Sequence, residues 1–201
     1  MYIPNDRSEL IASLLDEHKG FQNVVDLGCN DGATLLGLRL KKSLGKVNFF
    51  GVDYTFSHSA LLDDKISYHE CDLNGELLEI KNLLKVSDLT LLLDVLEHIH
   101  KPEQFLQILS KKMKPKSQLI ITVPNASSIR MLYAWLKKDF PRDDIGYFDR
   151  THCSWFTTKS LSKITMSKFH LKKIGFIYSK NLVTKILQKS LPVRLTSQFY
   201  V

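Results

Sequence analysis

Apolar positions along this chain follow two spacings, and their alternation predicts the fold. Residues 5–19 place Leu10, Ile11, Leu14 and Leu15 on one helical stripe, with Asn5 or Asp6 able to cap its start and Gly20 to end it. Residues 22–27 read as a first strand. A helical pattern follows from Ala33 to Leu44, carrying Leu35, Leu36, Leu38 and Leu40 and ended by Gly45. Val47–Val52 predicts a second strand closing on Asp53, Ser57–Leu62 a short helix, Ile66–Glu70 a third strand and Glu76–Leu84 a helix. Leu89–Val95 is nearly all apolar, which predicts a central strand buried on both faces. Pro102 suits the first turn of a helix running to about Lys112. Gln118–Val123 is a fifth strand stopped by Pro124, Ser160–Ser167 a helix, and Leu171–Tyr178 and Thr196–Val201 two further strands. Strands alternating with helices at this spacing predict an α/β, doubly wound, mostly parallel sheet. The segment 126–155 breaks the rhythm. It carries Tyr133, Trp135, Phe140, Tyr147, Phe148 and Trp155 beyond a strand's carboxyl end, where a lid or substrate wall would sit.

Composition narrows the class. At 201 residues the chain suits a single domain, 1–201, with 126–155 as a substrate-side insertion. No apolar run approaches the ~20 residues of a membrane span, and the polar start, Met1 to Glu9, is unlike a signal peptide. Cys29, Cys71 and Cys153 show no CxxC spacing, which argues against a disulfide framework and fits a cytoplasmic protein. The net charge of +7 is uneven: all 21 acidic residues lie at or before Asp149, and from Arg150 onward there are ten cations and no acid. This basic quarter reads as a solvated face, or as a surface for phosphate groups, nucleic acid or an anionic membrane. Within it Leu182, Val183, Ile186 and Leu187, with Lys185 and Lys189, fit a core helix or a membrane-surface helix.

Three stretches carry candidate chemistry. In Val24-Val25-Asp26-Leu27-Gly28-Cys29-Asn30-Asp31-Gly32 a buried strand runs into a tight turn before a helix. Glycines at 28 and 32 let a ligand approach the backbone, and Asn30 suits a left-handed position. The loop is neither G-x-G-x-x-G nor a P-loop. Asp53, at the end of the second strand, is placed to accept ribose hydroxyls. After the third strand, Cys71-Asp72-Leu73 offers a carboxylate and an amide for an adenine edge, or merely a helix cap. In Asp94-Val95-Leu96-Glu97-His98-Ile99-His100, polar groups appear where the most apolar strand ends, and Glu97 and His98 are candidate acid–base groups. His98 and His100 at i,i+2 give no complete ligand set, so no metal is expected.

Taken together, Val24–Gly32, Gly51-Val-Asp53, Cys71-Asp72-Leu73, Asp94–His98 and Val123-Pro-Asn125 resemble the class I S-adenosylmethionine-dependent methyltransferases in order and spacing. The resemblance implies the Rossmann-like methyltransferase fold, with S-adenosyl-L-methionine as cofactor. It implies that Asp26 is among the cofactor-binding residues, that the Gly28, Asn30 and Gly32 loop holds the methionine part, Asp53 the ribose, Asp72 and Leu73 the adenine, and that Asp94 and Val95 line the cofactor near the sulfonium. Asn30 is a departure, since the family usually has glycine there. Phe148-Asp149-Arg150-Thr151-His152-Cys153-Ser154-Trp155-Phe156-Thr157 resembles a D-R-T-H-x-x-x-F-T signature of methyltransferases from glycan biosynthesis. That subgroup implies a seven-stranded sheet whose last strand is antiparallel. Asp149 orienting His152 makes a workable base for an alcohol, with His98 as the second candidate; a salt-bridge cluster with Arg150 is the structural alternative. The expected reaction is in-line O-methylation of a small molecule or glycan precursor. The alternatives are an RNA methyltransferase using the basic quarter and a non-catalytic cofactor-binding partner subunit.

Overall fold

The computed structural model describes residues 11, 20–41, 44, 46–56, 64–177 and 198–200. They fall in two compact units: Met1–Leu93 with Gln107–Ile120, and Asp94–Leu106 with Ile121–Val201.

The first unit is built on parallel strands β1 (Asn23–Leu27), β2 (Asn48–Asp53), β3 (Ser67–Glu70) and β4 (Leu89–Leu93). With β5 (Gln118–Pro124), whose start belongs to this unit, they give a five-stranded parallel order β3-β2-β1-β4-β5. β1 pairs Asp26 with Gly51 and Leu91 on its two sides, so Asp26 is central and buried. Every residue of β4 is buried, as its unbroken apolar run predicts. One core cluster joins Ile11, Val24, Leu35, Leu38, Phe49, Leu89, Leu91 and Ile120. Asp88 pins the entry to β1: its carboxylate accepts the amides of Gln22 (2.9 Å) and Asn23 (3.0 Å) and the ammonium of Lys114 (2.6 Å). Burial alone would raise its pKa, but Lys114 and the two amides hold it below the ordinary carboxylate value.

Two helices of this unit depart from the periodicity. Helix α1 covers Ala33–Arg39 and stops well before Leu44: Leu40 is exposed, and Leu44 joins the core from beyond the helix end. Helix α2 covers Lys81–Val86, not Glu76–Leu84. Leu77 is fully buried with φ 55°, and a left-handed residue cannot continue a right-handed helix. The helix expected over 5–19, of which only Ile11 is described, Gly45, the helix at Ser57–Leu62 and the one at 182–189 lie outside the described residues.

The second unit contains a 3₁₀ turn (Leu96–His98), Ile121–Pro124 of β5, α4 (Ile129–Lys137), α5 (Thr158–Met166), β6 (Gly175–Ile177) and β7 (Gln198–Tyr200). Helix α3, Pro102–Lys112, runs over the residues expected from its proline start. β7 pairs antiparallel with β5 and with β6. Helix α4 lies inside 126–155, where no helix was expected. Helix α5 starts at a capping box: Thr157 Oγ1 accepts the Ser160 amide (3.1 Å), and Ser160 Oγ accepts the Thr157 amide (2.9 Å). Among the described residues no helix is long and apolar enough to cross a membrane.

Gly51 tests the packing at the carboxyl end of the first unit's sheet. A Cβ there would stand 2.7 Å from Tyr68 Cδ1 and 2.8 Å from Cys29 Sγ. Gly51→Ala is expected to destabilise the protein by about 1–3 kcal/mol through overpacking, read as a lower denaturant midpoint at unchanged slope. An unchanged midpoint would mean that Tyr68 has room to move.

Candidate active site

The first unit gathers polar groups at the carboxyl ends of β1, β2 and β3. Immediately after β1, Gly28 (φ 75°), Asn30 (φ 50°) and Gly32 (φ 75°) alternate in the left-handed region. The carbonyl of Val52 accepts the amides of Gly28 (2.7 Å) and Cys29 (3.1 Å), which ties the loop to β2. The Asp53 carboxylate completes the tie: Oδ2 accepts the Asn30 amide (2.6 Å) and Oδ1 the Tyr54 amide (2.7 Å). Each oxygen keeps a further lone pair, and the side chain is part-exposed, so Asp53 retains acceptor capacity for a ligand. The amide of Cys71 donates to the Asp53 carbonyl (2.8 Å), bringing Cys71-Asp72-Leu73 to the same strand ends. Asp72 is exposed and Leu73 buried. Asp72 Oδ1 accepts the Asn74 amide (2.9 Å) and closes a turn, capping no helix. Both cysteines here, Cys29 and Cys71, are buried. Burial, reinforced by Asp26 and Asp53, pushes the Cys29 thiol far up, and burial with Glu79 raises Cys71 to about 11.

The second unit holds a separate cluster. Asp94 is left-handed (φ 55°) and is locked to β5: its amide donates to Thr122 O (2.9 Å) and Oγ1 (3.0 Å), and Thr122 Oγ1 donates to Asp94 Oδ1 (2.9 Å). Val95 is buried and leads into the 3₁₀ turn that carries Glu97 and His98. The Glu97 carbonyl accepts the amides of Cys153 (2.8 Å) and Ser154 (3.0 Å). That clamp lays the D-R-T-H stretch against the turn and brings the rings of His98 and His152 to 4.7 Å, nearly edge to face.

Asp149 does not hold His152 as the sequence spacing suggested. Its Oδ1 accepts the Thr151 amide (2.8 Å) and hydroxyl (2.6 Å), and the Thr151 hydroxyl is 2.9 Å from His98 Nδ1. A threonine hydroxyl has one proton. If Asp149 receives it, His98 Nδ1 is the donor to Thr151 and its Nε2 is left as the basic atom. Asp149 therefore reaches His98 by hydrogen bonds and His152 only by charge. Burial raises the Asp149 carboxyl, but Thr151 and the two imidazoles outweigh it and hold it low. For His152, burial first and His98 second press the imidazole below its ordinary 6.5, against opposing pulls from Asp149 and Asp94. His152 is thus neutral at pH 7. Arg150 pairs with Asp144 (3.2 Å), not with the Asp149 cluster.

Tyr147, Phe148, Trp155 and Phe140 pack on one another at 4.9–6.1 Å, and Trp155 lies 5.4 Å from His152. The Tyr147 hydroxyl donates to the Asn125 carbonyl and meets Ser128 Oγ at 2.6 Å, bracing this segment on the end of β5. Burial raises its phenol. Two functional features escaped the sequence reading. Thr151 is the bridge between carboxylate and imidazole; its place inside the signature was the available signal. The second is a cation-sized grouping: Glu97, His98 and His152 each offer a ligand atom, all within 4.8 Å of one another. The exposed His100, weighed as a partner for His98, takes no part in that grouping.

Comparison with known proteins agrees with this geometry. Residues 2–168 match the family described as "Methyltransferase domain". The chain is 27% identical over 170 residues to the ubiquinone biosynthesis O-methyltransferase, mitochondrial, of Dictyostelium discoideum, covering 69% of this chain and 52% of that protein. It thus spans about half the length of that curated relative. Among solved structures it superposes on an Archaeoglobus fulgidus SAM-dependent methyltransferase with TM-score 0.67 at 22% identity, covering 98% and 94% of the two chains. It also superposes on the small RNA methyltransferase HEN1 with TM-score 0.66 at 15% identity, covering 98% of this chain and 25% of the other. Domain and fold indicate S-adenosylmethionine as the cofactor. The chain belongs to the methyltransferase-domain family.

Proposed function

We propose that this methyltransferase transfers a methyl group from S-adenosylmethionine to an oxygen of a small molecule or glycan precursor in the cytoplasm, as a single domain whose insertion, 126–155, walls the acceptor. The observation that carries the reading is the imidazole pair with a threonine–aspartate bridge behind one ring. It is a base suited to a hydroxyl, and the Dictyostelium relative is itself named an O-methyltransferase. The D-R-T-H-x-x-x-F-T signature supports the glycan-linked subgroup. The short antiparallel pairings of β6 and β7 support its seven-stranded sheet.

The first unit's donors suit the cofactor's parts. The loop is opened by three left-handed residues, and Asp53 keeps lone pairs for vicinal ribose hydroxyls. In this reading Asp26, Gly28, Asn30 and Gly32 serve the methionine part, Asp53 the ribose, Asp72 and Leu73 the adenine, and Asp94 and Val95 the methyl-donating end. When bound, the cofactor supplies a methyl already activated by its sulfonium charge. The chain supplies alignment and a place for the proton. That place is His98 Nε2, where Asp149 supports the imidazolium through Thr151. His152 stays neutral beside it and keeps the second charge out.

A second reading is favoured by the Glu97, His98 and His152 grouping: a divalent cation held there would bind the acceptor's oxygen. The two readings differ in what a chelator does.

Three outcomes are expected. Asp53→Ala weakens S-adenosylmethionine binding by about tenfold or more in calorimetry, in a protein that still unfolds cooperatively but at a midpoint lowered by the two lost loop hydrogen bonds; unaltered affinity removes the ribose assignment. His98→Ala and His152→Ala each lower methyl transfer by about 10²–10⁴-fold with cofactor affinity preserved. If chelation leaves the parent's rate untouched, the pair is a base, and if it abolishes the rate and a divalent ion restores it, the pair is a ligand set. Finally, because the His152 imidazole is depressed, its neutral form persists below pH 6.5. Its ring-proton shifts in an NMR pH titration should therefore hold through neutrality and change only as pH drops past the ordinary imidazole value. A change already complete at pH 7 contradicts this. RNA binding that is tight and steeply salt-dependent would move the acceptor class to RNA.

A further inference from the structure

Helix α4 is inside out. Ile129, Leu132, Tyr133 and Leu136 follow i, i+3, i+4, i+7, the spacing that normally turns an apolar stripe to a core. Here that stripe faces solvent: the four side chains are 41%, 43%, 58% and 62% exposed, and Trp135 beside them is 72% exposed. The residue facing inward is Ala134, 5% exposed. The helix is closed at both ends. Ser128 Oγ caps its start by accepting the Met131 amide, and Lys138 in the left-handed region closes its end. Just beyond, Phe140 stacks on Phe148 and Trp155 at 5.3 and 5.6 Å. A contiguous exposed apolar face on an anchored helix marks a binding surface, not a stray hydrophobe.

Charge identifies the occupant. Arg130, Lys137 and Lys138 flank the stripe, all exposed, and Asp139 is the one acid between 129 and 140. Lys137 Nζ lies 4.7 Å from the Tyr133 ring centroid, so a cation stands at the edge of the aromatic face. Leucines with Trp and Tyr on one side and cations alongside are the makeup of a helix that lies in a membrane interface. The chain's net charge of +7 adds long-range attraction to an anionic surface. We propose that α4 docks the protein flat on an anionic lipid bilayer, with Leu132, Trp135 and Leu136 entering the headgroup–acyl boundary. This places a membrane contact in the 126–155 segment, separate from the one weighed for the basic C-terminal quarter.

The test is vesicle flotation of the full chain, using phosphatidylcholine alone and phosphatidylcholine with phosphatidylglycerol, alongside tryptophan emission with brominated lipids. Expected are binding to the anionic vesicles, a blue shift and bromine quenching. Leu132→Ser/Leu136→Ser should lower vesicle binding by about an order of magnitude, and Lys137→Glu/Lys138→Glu should remove the preference for anionic lipid. S-adenosylmethionine affinity, measured by calorimetry, reports that both variants are folded. Absence of binding to anionic vesicles overturns the proposal. So does binding that survives the serine pair, or a dimer in sedimentation that the serine pair dissolves, which would assign the face to a second copy of the chain. The vesicle assay needs no methyl acceptor, so its failure leaves the methyl-transfer reading standing.

Discussion

The second unit's chemistry depends on a single carbonyl. Glu97 O accepts two amides, those of Cys153 and Ser154, and these backbone bonds join the 3₁₀ turn to the D-R-T-H stretch. The carbonyl is available because the turn is so short. His98 N bonds to Val95 O and Ile99 N to Leu96 O, and the chain then leaves the helical region, so no later amide claims the oxygen of Glu97. A longer helix at this point would have consumed it. The buried Glu97 side chain and the buried Val95 and Leu96 hold the turn against the interior, so the carbonyl presents a fixed acceptor. Side chains from distant parts of the sequence meet here because main-chain groups meet first.

Both units place left-handed residues where strands end. Gly28 and Gly32 adopt that conformation at no steric cost, and asparagine at position 30 tolerates it better than most residues. Asp94 shares asparagine's tolerance of this region, and three hydrogen bonds with Thr122 hold it there. The gain is directional. A strand continuing through Asp94 would have carried Glu97 and His98 onward along β5; the left-handed step folds them back into a turn instead.

Much of this was legible because the sequence states it locally. The buried strands are unbroken apolar runs, the loop after β1 announces itself by glycine spacing, and the proline start of α3 fixes its position. What was missed has non-local causes. Leu77 leaves the helical region because the core takes its side chain, and no pattern of neighbours says so. Helix α4 carries a clear helical stripe, but its aromatics drew the reading toward a wall, since an apolar face is expected to be covered. The pairing of Asp149 with His152 was a guess from spacing. The actual bridge depends on where Thr151 Oγ1 points, which spacing cannot give. The cation-sized grouping needs a carboxylate and an imidazole from one stretch and an imidazole from another, so only the fold assembles it.

The arrangement of the two imidazoles narrows what they can do even before a substrate is named. The rings stand 4.7 Å apart, and charge on His98 raises the cost of charging His152. The structure treats the two unequally. His98 has the hydrogen-bonded path to Asp149, while His152 has burial and the neighbouring ring working against its charge. A general base must begin neutral, and so must a metal ligand; the desolvation of His152 serves either. Acid–base behaviour alone therefore does not separate the two roles. The separating feature is Glu97: only in a ligand set would its carboxylate act on the same atom as the two imidazoles.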